Sequence, residues 1–114
     1  MKKVRILVHG KHPEILETVL RLINKNENWA GEGSINEEKI IELFHQHDYD
    51  LVLLGGGITE LSEKKIRALF QRSNPEAEII QHYGGGSGLL YSEIEIALQK
   101  KKNHFKVMDN PFNS

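Results

Sequence analysis

Four large apolar residues followed at once by three glycines, Leu51-Val52-Leu53-Leu54-Gly55-Gly56-Gly57, constrain this chain more than any other stretch. Tyr49-Asp50 lead into the run through an acidic turn. A short run without polar alternation leaves no side chain for water, so it predicts a strand covered on both faces, as in a parallel sheet. The glycines then leave only backbone at the carboxyl end of that strand. In open α/β sheets this end is where ligands and catalytic groups usually sit. The place where chemistry would normally need a side chain offers none, and the chain reads as a non-enzyme.

The rest of the chain arranges itself around that strand. Val4 to Val8 suits a first strand, and Pro13 stands where a helix can start because its missing N–H is unpaired there anyway. Ile15, Leu16, Val19, Leu20 and Ile23 recur at helical spacing as far as about Lys25. Trp29 to Gly33 reads as a weak, glycine-broken edge strand. Asn36 can cap a second helix to about His47, and Ser62 a third with Ile66, Leu69 and Phe70 inward. Glu78 to Tyr83 predicts a fourth strand and Leu89 to Lys101 a fourth helix, with Leu90, Ile94, Ala97 and Leu98 buried. Phe105 to Met108 predicts a fifth strand, ended by Asn110-Pro111. Strands alternating with helices give a parallel sheet with right-handed crossovers. One domain over residues 1–114 is expected, a three-layer α/β/α sheet lacking its final helix. Apolar surface beside the first helix would then be bare.

Composition narrows the function classes. A formal net charge of -1 gives no long-range pull on nucleic acid or an anionic membrane, and neither is expected as a partner. The run Lys100-Lys101-Lys102 reads as a solvated helix end. With no cysteine, disulfides, thiolate catalysis and zinc–cysteine sites are excluded. The start, Met1-Lys2-Lys3-Val4-Arg5, leads into too short an apolar run for a signal peptide. A cytoplasmic protein is the expectation.

Taken together, several segments resemble a response-regulator receiver domain. They are Arg5-Ile6-Leu7-Val8 leading to His12-Pro13, Trp29-Ala30-Gly31-Glu32, Asn36-Glu37-Glu38, Tyr49 to Leu54, Asn74-Pro75 before Ile79-Ile80, and Asn110-Pro111-Phe112. The resemblance implies a flavodoxin-like doubly wound sheet of five parallel strands in the order 2-1-3-4-5. It also implies where the receivers' working side chains would fall. Their magnesium-holding acidic pair falls on Gly10 and Lys11, and their phosphate-accepting aspartate on Gly55. Their hydroxyl residue falls on Tyr83 and their lysine on Asn110. None matches, so the resemblance implies a degenerate receiver that is not phosphorylated in the family's way.

Other chemistry competes weakly with a structural reading. Gly84-Gly85-Gly86-Ser87-Gly88 precedes a helix, whose first N–H groups can bind an anion. The spacing fits neither a dinucleotide fingerprint nor a nucleotide loop, so a crossover connection is the plainer reading. A small anion or nucleotide held by His9, Lys11, Gly55, Gly56, Gly57, His82, Gly84, Gly85, Gly86 and Ser87 is the alternative. His9, His12 and His82 all fall near the carboxyl edge. With one strand between them, His9 and His82 stand roughly 10 Å apart, too far for one metal, and no metal or cofactor is expected. His45 and His47 suit the end of the second helix. Ser87 and Ser92 have no nucleophile elbow. Glu93 and Glu95 read as the wet side of the fourth helix, and Tyr83 and Tyr91 as exposed contact residues. The leading expectation is a regulatory module that binds another protein or itself, as a homodimer through the fourth helix and fifth strand.

Overall fold

A computed structural model describes residues 3–82 and 87–109, with side chains over 3–82 and 88–101. Its elements alternate: β1 (Val4–His9), α1 (Pro13–Asn24), β2 (Trp29–Ser34), α2 (Glu37–Gln46), β3 (Leu51–Leu54), α3 (Glu60–Ser73), β4 (Glu78–Gln81) and α4 (Ser87–Asp109). The strands form one parallel sheet in the order β2-β1-β3-β4. Among the described residues, no helix is long and apolar enough to cross a membrane.

The central strand is as enclosed as its sequence requires. All four residues of β3 are buried. Leu51 and Leu53 enter one core with Ile6, Val8, Val19, Ile23, Leu90 and Ile94. Val52 and Leu54 enter the other with Leu7, Ile40, Phe44, Ile66 and Phe70. Strand alternation thus serves two cores, one under α1 and α4, the other under α2 and α3. In the second core the Phe44 and Phe70 rings stack with centroids 3.8 Å apart. Each such side chain contributes about 1.5–3 kcal/mol by leaving water.

The carboxyl end corrects the sequence reading twice. Phe105 to Met108 is helix, not a fifth strand, because α4 runs on through Asp109. Nothing between Leu89 and Asp109 breaks a helix; the first proline is Pro111, beyond it. Nor is the face beside α1 left bare by a missing helix. Leu90, Ile94 and Ala97 of α4 share the core of Val19 and Ile23 from α1. The Tyr91 hydroxyl donates to the Leu22 carbonyl at 2.9 Å, and its ring lies 5.4 Å from that of Trp29. Tyr91 is therefore a packing residue, not an exposed contact. Handedness agrees with this placement. A crossover from β4 to a strand beyond it would have to lie over the face of α3, which makes the preceding crossover in the same direction. On the face of α1, α4 leads to no such strand.

Both sheet edges carry a side-chain cap. Arg67 of α3 donates to the Ile79 carbonyl of β4 at 3.1 Å and is held by Glu63 at 2.9 Å. Asn24 of α1 accepts from the Gly31 N–H of β2 at 2.8 Å and donates to its carbonyl at 3.1 Å. Such caps occupy groups an added strand would need. Two smaller corrections concern polar residues. Thr59, not Ser62, caps α3: the Thr59 hydroxyl accepts from the Ser62 N–H at 3.1 Å, while the Ser62 hydroxyl donates to Glu37. Lys101 is no solvated helix end, since its ammonium reaches Asp50 of the β1-facing turn at 3.1 Å.

Candidate functional site

The carboxyl edge of the sheet is built from the ends of β1, β3 and β4. Gly10 and Gly55 lie side by side there: a methyl group on Gly10 would sit 3.9 Å from the Gly55 Cα. The Gly55 N–H donates to the His9 carbonyl at 2.7 Å, and the Lys11 N–H to that of Gly56 at 3.4 Å. Gly57 has φ +85°, a left-handed conformation suited to glycine, and its free Cα side faces the Lys11 stem. Gly55, Gly56 and Lys11 are thus brought together. Gly84, Gly85, Gly86, Tyr83 and Asn110 lie outside the described residues, and Ser87 is described only as the first residue of α4.

The two histidines of this edge end up on opposite faces of the sheet. His9 continues the Leu7 face of β1, toward α2, and is fully buried. Its Nδ1–H donates to the Ser34 carbonyl at 2.9 Å, and its Nε2 finds no partner among the described residues. Burial pushes this imidazole below its ordinary value, outweighing the Ser34 hydrogen bond; Lys11 pushes the same way. His9 is therefore a neutral interior residue. His82 points to the α1 and α4 face instead. It is 6% exposed, and its Nδ1 lies 2.5 Å from a Glu93 carboxylate oxygen. Among the described residues no group of three or more histidine, aspartate or glutamate side chains is placed to hold a metal ion.

Glu93 is the residue beside this edge that sequence reasoning missed, having assigned it to the wet side of α4. The available signal was spacing: it stands three residues after the buried Leu90 and one before Ile94, at the border of the buried stripe. Beside this pair opens a cleft of about 100 Å³. Val8, Val19 and Leu53 supply apolar floor, and Ile15 and Leu16 of α1 a wall. Gly10, Gly55 and Gly56 offer backbone along one rim, and among the described residues His12 and His82 are its side-chain polar groups. His9, Lys11 and Gly57 do not line it. The cleft can take a small, mainly apolar group and give it one or two hydrogen bonds.

No family model and no curated protein matches the chain. Solved structures do. A signal receiver domain of an HD domain-containing protein from Pseudomonas fluorescens superposes with TM-score 0.75 at 11% identity, over 93% of this chain and 94% of that one. A structure of histidine kinase ThkA in complex with response regulator protein TrrA matches with TM-score 0.63 at 23% identity, over 89% and 98%. A response regulator receiver modulated diguanylate cyclase from Pelobacter carbinolicus matches with TM-score 0.61 at 16% identity, over 90% and 98%. The strand order, the two helical layers and these superpositions lead to one conclusion: the chain has the flavodoxin-like α/β fold of response-regulator receiver domains.

Proposed function

We propose that the chain is a receiver-like regulatory module that works by binding protein and takes no part in phosphoryl transfer or other catalysis. The observation that carries this reading is the pair of adjacent glycines, Gly10 and Gly55, with Lys11 next to them, at the carboxyl ends of β1 and β3. An acyl phosphate needs a carboxylate nucleophile, and a hard divalent cation needs several oxygen ligands. Neither chemistry has a side chain at these positions, and Lys11 adds a cation where a metal would bind. One test combines acetyl phosphate and magnesium with intact-protein mass measurement. No phosphoryl adduct should form; an acid-labile adduct would refute the reading. Magnesium with beryllium fluoride should likewise leave the melting temperature unchanged.

A second copy of the chain is the partner best suited to its surface. On α4, Glu93, Ile96, Ala97 and Lys100 border a groove with Ile80 of β4, and Ile96 is 59% exposed. Acid, apolar, base along one helix is a self-complementary order. Two α4 helices crossing antiparallel about a two-fold axis would set Glu93 near the second copy's Lys100, with the exposed Ile96 side chains near the axis. This replaces the expected pairing through a fifth strand, and the Arg67 cap on Ile79 disfavours pairing along the sheet edge. Light scattering should show a concentration-dependent dimer that Lys100→Glu weakens. A monomer at high micromolar concentration would remove the dimer from the proposal while leaving the phosphorylation test untouched. Cytoplasmic residence fits this role. The glycine-loop reading, a bound anion or nucleotide, would come forward if phosphate or nucleotides raised the melting temperature.

A further inference from the structure

We infer that the cleft between α1 and the carboxyl ends of β1, β3 and β4 is a binding site for a small uncharged molecule, an apolar body of one ring or less bearing a hydroxyl. This goes beyond the protein-binding reading and does not depend on it. Three observations lead to it. The first is the character of the walls. Val8, Ile15, Leu16, Val19 and Leu53 are aliphatic, and among the described residues no carboxylate, lysine or arginine lines the cleft. A charged ligand there would lose hydration without an ionic partner, which disfavours phosphate and carboxylate. The second is His82. Glu93 accepts from its Nδ1–H at 2.5 Å, so in the neutral ring Nε2 is the acceptor. The ring is 6% exposed and belongs to the cleft lining. A ligand that brings a donor, as an alcohol or phenol does, can meet the Nε2 of the neutral ring. The third is size. About 100 Å³ lies below the roughly 150 Å³ apolar cavity that accepts benzene, and the open side of a cleft gives a single ring some further room. The glycines matter here too, because a side chain on Gly55 or Gly56 would stand at the rim.

The test uses the full chain, isotope-labelled, titrated separately with phenol, toluene, benzoate and inorganic phosphate and followed by NMR. Phenol should give saturable shifts confined to Val8, Gly10, Ile15, Gly55, Gly56 and the His82 ring. Toluene should bind several-fold more weakly, and benzoate and phosphate should leave these signals in place. Ile15 is 55% exposed on the cleft wall, so Ile15→Trp should fold normally while filling the opening, and should weaken phenol at least tenfold. His82→Leu should remove the preference for phenol over toluene. Absence of saturable phenol shifts at millimolar concentration would overturn the inference. So would shifts elsewhere on the molecule, equal binding by Ile15→Trp, or a stronger response to phosphate than to phenol.

Discussion

Replacing Gly33 by alanine should strongly destabilise the fold, although the residue lies on an edge strand and is only partly buried. Gly33 pairs with Val8 across β1 and β2. A methyl group built on it would stand 2.1 Å from the Val8 carbonyl oxygen and 2.9 Å from its carbonyl carbon. These atoms belong to the backbone of the neighbouring strand, so no rotamer change relieves the contact. The strands would have to part by about 1 Å, stretching ladder hydrogen bonds beside a core whose packing falls off steeply with distance. We expect a loss of at least ~3 kcal/mol, above the usual range for overpacking because the obstacle is main chain. Against a typical domain stability of about 5–15 kcal/mol, that is a large share. Two companion substitutions calibrate the reasoning. Gly31→Ala meets Ile23 Cγ2 at 2.8 Å and Cβ at 3.3 Å, a buried β-branched side chain that must shift but is not main chain, and should cost roughly 1–3 kcal/mol. Gly56→Ala meets nothing within 4 Å and should lie within about 0.5 kcal/mol of the parent. Urea unfolding followed by circular dichroism gives all three from midpoints and slopes. A Gly33→Ala variant as stable as Gly56→Ala would refute the argument from backbone proximity.

The remaining predictions concern polar groups. His9 takes 6.5 unfolded and a lower value folded, so the unfolded state binds more protons between the two. Its contribution is present above 6.5 and is lost as pH falls through the folded value, with a slope of at most about 1.4 kcal/mol per pH unit. His9→Leu should flatten that part of the stability profile, and an unchanged profile would show that another group sets it. Thr59→Ala should cost about 1 kcal/mol through loss of the α3 cap, measured as a lowered urea midpoint. Equal stability would return the cap to another residue. Arg67→Ala frees the Ile79 carbonyl on the outer edge of β4 and should promote association through that edge, visible as rising light scatter on mild heating. No change in scatter would show that the edge is guarded by other means.

Local pattern alone determined most of the architecture. Leu51 to Leu54 read as a strand enclosed on both faces, and strand–helix alternation implied a parallel sheet, while the order of the four strands followed from the resemblance to receivers and not from the pattern. Pro13 and Asn36 mark helix starts by chemistry that acts within a few residues: a missing N–H, and a side-chain oxygen accepting from the Lys39 N–H at 3.1 Å. The carboxyl end was not legible in this way. Phe105-Lys106-Val107-Met108 has the composition of a strand, yet a helix that meets no breaker carries on through it. The side of the sheet that α4 covers depends on its packing against α1, between residues distant in sequence. The candidate site divides along the same line. Gly10, Gly55 and Gly56 at the carboxyl edge follow from strand ends that sequence marks. The pairing of His82 with Glu93, the burial of His9 on the opposite face, and the cleft against Ile15 and Leu16 arise only when strands and helices pack. A strand's alternation tells a side chain to leave the sheet on one face or the other, and only the docked helix decides what it meets there.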